Sequence, residues 1–145
     1  MEKLWEKIEN TFSLDSTIHG PEHWRDVKEN GLLIAKHSGA NVKVVELFAL
    51  FHDSKRANDG WDTNHGFHGA EFAKEMRNEL DITDEEFDLL YYACKYHTTK
   101  THTDNITIGT CWDADRLDLV RLMVKPDPKF LNTDFAKELA GRIII

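Results

Sequence analysis

The chemical question is set by two residues at the end of the most apolar stretch of the chain. In ELFALFHDSKR, residues 46–56, Leu47, Phe48, Ala49, Leu50 and Phe51 run directly into His52 and Asp53, and the chain then turns basic at Lys55 and Arg56. A buried carboxylate without compensation costs several kcal/mol, so Asp53 needs a partner. Eight histidines are available: His19, His23, His37, His52, His65, His68, His97 and His102. Only His37, in AKHSG, reads as an ordinary helix C-terminal residue, where a cation suits the helix dipole and Gly39 follows as a stop. A second carboxylate stands out in CWDADRLDLVRLM. At helical spacing Asp115 aligns with Trp112, Leu119 and Leu122, which turns it inward. Asp113 and Asp118 stand beside Arg116 and Arg121 and read as surface aspartates. His97 closes the stripe Phe87, Leu90, Cys94 at the end of its helix. His23 shares its stripe with Val27 but also with Glu22 and Asp26. His65 and His68 flank a glycine in a loop that enters a helix, where spacing does not orient them. Taken singly, each is most simply a cap or a packing residue. Together they are the usual donor set for zinc, manganese, iron or nickel, and a divalent ion would compensate for burying Asp53 and Asp115.

The elements that must position these groups are all helical. Residues 2–13 form an amphipathic helix through Leu4, Trp5, Ile8 and Phe12. Pro21 suits the first turn of a helix that runs to Gly39. Asn41 is the expected N-cap of the next helix, which is apolar on nearly every side and therefore central and buried. SKRANDGWDTNHG is a polar loop with turn signals at Asp59-Gly60 and Asn64-His65-Gly66. A helix is expected over about 67–79. Another opens with a capping box, Thr83 with Glu86. A Thr-rich loop at 98–108 leads to a helix over about 109–124 and a short one at 133–142. No strand alternation persists and no repeat is present. The expected fold is all-α, a compact bundle of about six or seven helices in one domain over 1–145, with its core at about 15–125 and a short C-terminal extension.

Composition narrows the partners. The chain has 145 residues and a formal net charge of −8, which disfavours a nucleic-acid polymer but leaves room for a small anion held by local cations or metal. Two cysteines, Cys94 and Cys111, without a CxxC indicate neither a disulfide framework nor a thiolate zinc site. The N-terminus lacks an apolar signal region and no run reaches ~18 apolar residues, so neither a membrane span nor a signal peptide is expected and a cytoplasmic setting is the default.

HGPEHWRDV with His23, FHD with His52 and Asp53, and DADRLD with Asp115 occur in the order found in the HD-domain superfamily of metal-dependent phosphohydrolases, which the chain resembles over roughly residues 15–125. The resemblance implies that His23, His52, Asp53 and Asp115 bind one metal, one of Mn, Fe, Ni, Zn, Co or Mg. Some members hold a second ion through further histidines. HGFHGA resembles their segment and nominates His65, with His68 as runner-up, and His97 as the next histidine. The implied chemistry is attack by metal-activated water on the phosphorus of a small phosphate ester or a nucleotide. Asp53 would orient that water or take its proton, Lys55 and Arg56 would bind phosphate, and His19 would contact it too. Trp61, Phe67 and Tyr96 are candidates to stack on a base, with core packing the competing use. A homodimer is compatible with this reading. The Gly-Tyr-Pro signature of cyclic-dinucleotide phosphodiesterases is absent. Arg56 stands where one group of deoxynucleotide 5′-nucleotidases has Glu. The chain therefore fits small stand-alone members of undefined substrate. Two other readings use the same residues: a di-iron oxygenase of the HD type, and a non-catalytic metal- or nucleotide-binding module.

Overall fold

Helix ends follow the local chemistry of the chain. In the computed structural model, which describes residues 1–145, seven α-helices and three short 3₁₀ turns account for the regular structure, with no strand. They are α1 (Glu2–Thr11), α2 (Pro21–Ser38), α3 (Val42–Phe51), α4 (His65–Glu75), α5 (Asp84–Tyr96), α6 (Ile106–Leu117) and α7 (Asp134–Arg142). Pro21 occupies the first turn of α2, and Gly39 ends that helix with φ 78°, the left-handed conformation glycine tolerates best. Asn41 caps α3 by accepting from the Val44 amide, and Thr83 with Glu86 forms a reciprocal capping box on α5.

Helices α4 and α6 differ from expectation at both ends. α4 begins at His65 rather than about 67 and ends at Glu75, followed by a 3₁₀ turn over Arg77–Glu79. α6 begins at Ile106 rather than about 109, because the Asn105 side chain accepts from the amides of Thr107 and Ile108. It ends at Leu117 and tightens into a 3₁₀ turn over Asp118–Leu122.

The core forms around α3, which packs against α2, α5 and α6. Its Phe48, Leu50 and Phe51 are fully buried with Trp24 of α2 and Trp112 of α6. Each such side chain contributes roughly 1.5–3 kcal/mol of burial. Glycines allow close approach where helices cross. A Cβ at Gly31 of α2 would collide with the Val45 side chain of α3. A Cβ at Gly69 of α4 would strike the Phe51 carbonyl at the end of α3. One at Gly66 would lie 2.6 Å from the Cys94 carbonyl oxygen of α5. These contacts draw the start of α4 onto the ends of α3 and α5. α7 returns to pack on α2 and α6. No helix is long and apolar enough to cross a membrane.

Candidate metal centre

Five helices deliver polar side chains to one place. His23 comes from the first turn of α2, His52 and Asp53 from the end of α3, His65 from the start of α4, His97 from the end of α5, and Asp115 from α6. All but Asp115 are buried, and its side chain is 21% exposed. The donors fall into two groups: His23, His52 and Asp115 in one, and Asp53, His65 and His97 in the other.

Within the first group, His23 Nε2 lies 3.1 Å from His52 Nε2 and 3.0 Å from Asp115 Oδ1. His52 Nε2 is 3.3 Å from the same oxygen. In the second, His65 Nε2 and His97 Nε2 are 3.0 Å apart. Asp53 joins the two groups. Its Oδ2 is 3.4 Å from His23 Nε2 and 3.6 Å from His52 Nε2. Its Oδ1 is 3.2 Å from His65 Nε2 and 3.7 Å from His97 Nε2.

The other ring nitrogens are occupied. His52 Nδ1 lies 3.1 Å from the carbonyl oxygens of Phe48 and Ala49. His65 Nδ1 is 2.7 Å from the Asp62 carbonyl oxygen, and His97 Nδ1 is 2.7 Å from that of Cys94. A carbonyl only accepts, so each of these Nδ1 atoms carries a proton and Nε2 is the ring atom turned toward the cluster. His23 Nδ1 donates to Asp118 Oδ2 at 2.7 Å. Two pairs of Nε2 atoms thus face each other about 3 Å apart, an arrangement that a shared proton or a cation between them would satisfy. The donor set fits divalent metal ions: imidazole nitrogens with outer hydrogen bonds in place, and carboxylate oxygens aimed at the same points.

The electrostatics agree. Burial opposes ionisation of Asp53, yet His52, His23, His65 and His97 outweigh it and hold the carboxyl well below the usual range. Asp115 behaves in the same way beside His52 and His23. Burial disfavours the charged form of His23, but Asp115, Asp118 and Asp53 prevail and push it up to about 11. In the metal-free protein a proton on His23 therefore stands in for the cation.

The remaining candidates separate clearly. Arg56 is at the site: its Nε lies 3.4 Å from Asp53 Oδ1 and is buried without a hydrogen-bond partner, while Nη1 donates to the carbonyls of Asn58 and Gly60. Lys55 is not; its Nζ sits 4.1 Å above the Phe72 ring, and it pairs with none of the carboxylates. His68 is exposed beside Phe67, so of the two histidines only His65 enters the cluster. His19 stands at the rim, its ring 6.4 Å from that of His23 and its Nδ1 2.9 Å from Asp59 Oδ1.

Two surface assignments are corrected. Asp113 is buried and accepts from the amides of Asn132 and Thr133 and from the Thr133 hydroxyl, tying down the entry to α7. Its expected neighbour Arg116 donates instead to the carbonyls of Lys100, Thr101 and Phe130. Asp118 is buried against His23. It was legible in principle, being three residues beyond Asp115 on the same helical face. Trp61 is 89% exposed, which rules out core packing. With Arg56, Thr63, His65 and Thr98 it lines a cavity of about 260 Å³ that opens onto the second group of donors. Another cavity, of about 250 Å³, lies beyond His97 and is lined by Arg116, Leu119, Phe130 and Leu131.

No family model and no curated relative matches the sequence. Among solved structures, the fold matches a crystal structure titled a predicted HD superfamily hydrolase, from an uncultured Thermotogales bacterium. The match has a TM-score of 0.79 and 26% sequence identity, and covers 97% of this chain and 83% of that one. The chain shares the all-helical fold of that HD superfamily structure, with its His and Asp side chains gathered where helix ends meet.

Proposed function

We propose that the chain is a metal-dependent phosphohydrolase acting on a small phosphate ester. The observation that carries this reading is Asp53, whose two carboxylate oxygens each face a separate group of imidazole nitrogens. His23, His52, Asp115 and Asp53 would hold one divalent ion; Asp53, His65 and His97 would hold a second. The name carried by the Thermotogales neighbour supports hydrolase chemistry. A divalent ion supplies Lewis acidity toward a phosphoryl oxygen and lowers the pKa of nearby water.

The chain's own groups would do the rest. Asp53 is held ionised, so it can orient an attacking water or accept its proton. Arg56, with an unpaired buried Nε beside Asp53, would bind a phosphate oxygen. Phosphoryl transfer depends mainly on such positioning and charge neutralisation. The cavity beside Arg56 and His65 would take the rest of the substrate. Its volume of about 260 Å³ falls below the roughly 300–1,000 Å³ usual for larger ligands, in keeping with a small ester or a mononucleotide.

The test is a panel of phosphomonoesters, phosphodiesters and nucleotides with the protein loaded in turn with Mn, Fe, Ni, Co, Zn and Mg. Phosphate release that needs metal and is lost in Asp53→Ala is expected. If no ester is hydrolysed in any metal form, or if the iron form consumes dioxygen with substrate, the phosphohydrolase reading is wrong.

A further inference from the structure

The histidines of the cluster are not held alike. His52, His65 and His97 each direct Nδ1 to backbone carbonyls, which are neutral. His23 alone directs Nδ1 to a carboxylate, Asp118 Oδ2, at 2.7 Å. Asp118 is itself fixed: it is 5% exposed, Arg121 Nη1 lies 3.8 Å from the same Oδ2, and Nη1 also donates to the Asp118 carbonyl. Arg121 Nε donates to the Ile18 carbonyl at 2.7 Å. The chain Arg121–Asp118–His23 therefore reaches from the 3₁₀ turn after α6 to the segment that leads into α2.

The geometry points to Asp118 as a positioning residue that fixes the tautomer and orientation of His23, raises its basicity as a ligand, and makes the His23–His52–Asp115 half the tighter of two unequal metal sites. This rests on the metal-centre reading given above. A carboxylate behind a ligating imidazole holds the proton on Nδ1 and strengthens the Nε2 donor, and loss of such a partner typically weakens metal binding 10–100-fold. The charge distribution points the same way. The first half has Asp115, a shared Asp53 and Asp118 behind it. The second has only the shared Asp53 with two imidazoles backed by carbonyls. Asp118 touches neither His65 nor His97, so its effect stays in one half.

The experiment measures Mn²⁺ affinity by chelator competition on the full chain, with helix content checked by circular dichroism. Wild-type protein is expected to bind in two steps of unequal affinity. In the His65→Ala background, where the His23 half carries the binding, Asp118→Asn lowers affinity roughly 10–100-fold. In the His52→Ala background, where the Asp53–His65–His97 half remains, the same substitution changes it less than about twofold. A merely structural role for Asp118 would lower both, and that result overturns the inference. So does an unchanged affinity in the His65→Ala background. Wild-type protein that binds no Mn²⁺ at all would instead remove the metal-centre reading and this inference with it.

Discussion

Asp53 and Asp115 make different demands on the same cluster. Asp53 faces both groups of imidazoles while Asp115 faces one. Asp53→Ala is therefore expected to reduce metal content at both positions and Asp115→Ala at one, read by elemental analysis, with turnover falling roughly 10³-fold or more in each. The pH response of stability has two limbs. Asp53 and Asp115 sit well below their ordinary values, so their stabilisation is present above the unfolded value of about 3.9 and lost as pH falls through the folded values. His23 is raised from 6.5 to about 11, so its stabilisation is full below 6.5 and lost as pH rises toward 11. A metal ion bound at the cluster would replace that proton. Melting with chelator and with Mn²⁺ across pH 5 to 9 should give a gap that widens steadily with pH, because metal and proton compete for folded His23 over that whole range; a gap independent of pH would contradict the stand-in proton. Residue by residue, Asp115 was legible because three apolar neighbours share its helical face. The same spacing reaches Asp118, but Arg121 beside it suggested a surface ion pair. The arginine proved to be an anchor behind a buried carboxylate.

At the scale of elements, the site depends on helix ends meeting. Gly66 lets the first turn of α4 lie against the last carbonyls of α5, which brings His65 Nε2 to His97 Nε2. Gly66→Ala must push the two apart. An overpacking cost of about 1–3 kcal/mol is expected in denaturant unfolding, with weakened metal binding in the second half only. Asp113 does a different job, holding the turn before α7 by three strong hydrogen bonds. Asp113→Ala leaves the buried Thr133 amide and the half-buried Asn132 amide unpaired and should cost about 2–4 kcal/mol in the same measurement. An unchanged midpoint would show that the turn stands without it. Helices with a strong local signal were legible at their ends: Pro21 and Gly39 bound α2, and Thr83 with Glu86 opens α5. The start of α4 was not, because Asn64-His65-Gly66 carries turn chemistry. The contacts that make it helical lie on α3 and α5, outside its own sequence.

For the molecule as a whole, the cluster clamps five helices together. His23 and Asp118 are 95 residues apart in the chain, and His65 and His97 are 32 apart. No local pattern specifies such a meeting; the order of the pieces His23, His52-Asp53 and Asp115 signalled it only through family resemblance. An ion that binds the assembled cluster but not the unfolded chain stabilises the fold by about 2.7 kcal/mol at a hundred times its dissociation constant. Chelation should thus lower the melting temperature by roughly 5–10 °C for a domain of this size, and an unchanged value would mean that the helices close without a cation. With a net charge of −8, any attraction for an anionic ester would have to come from bound ions and Arg56 rather than from the overall field. The most direct test is anomalous diffraction from crystals soaked in Mn²⁺. The account predicts two peaks, one among His23, His52 and Asp115 and one between His65 and His97, with Asp53 bridging them. Well-ordered side chains with no peak at either position would contradict it.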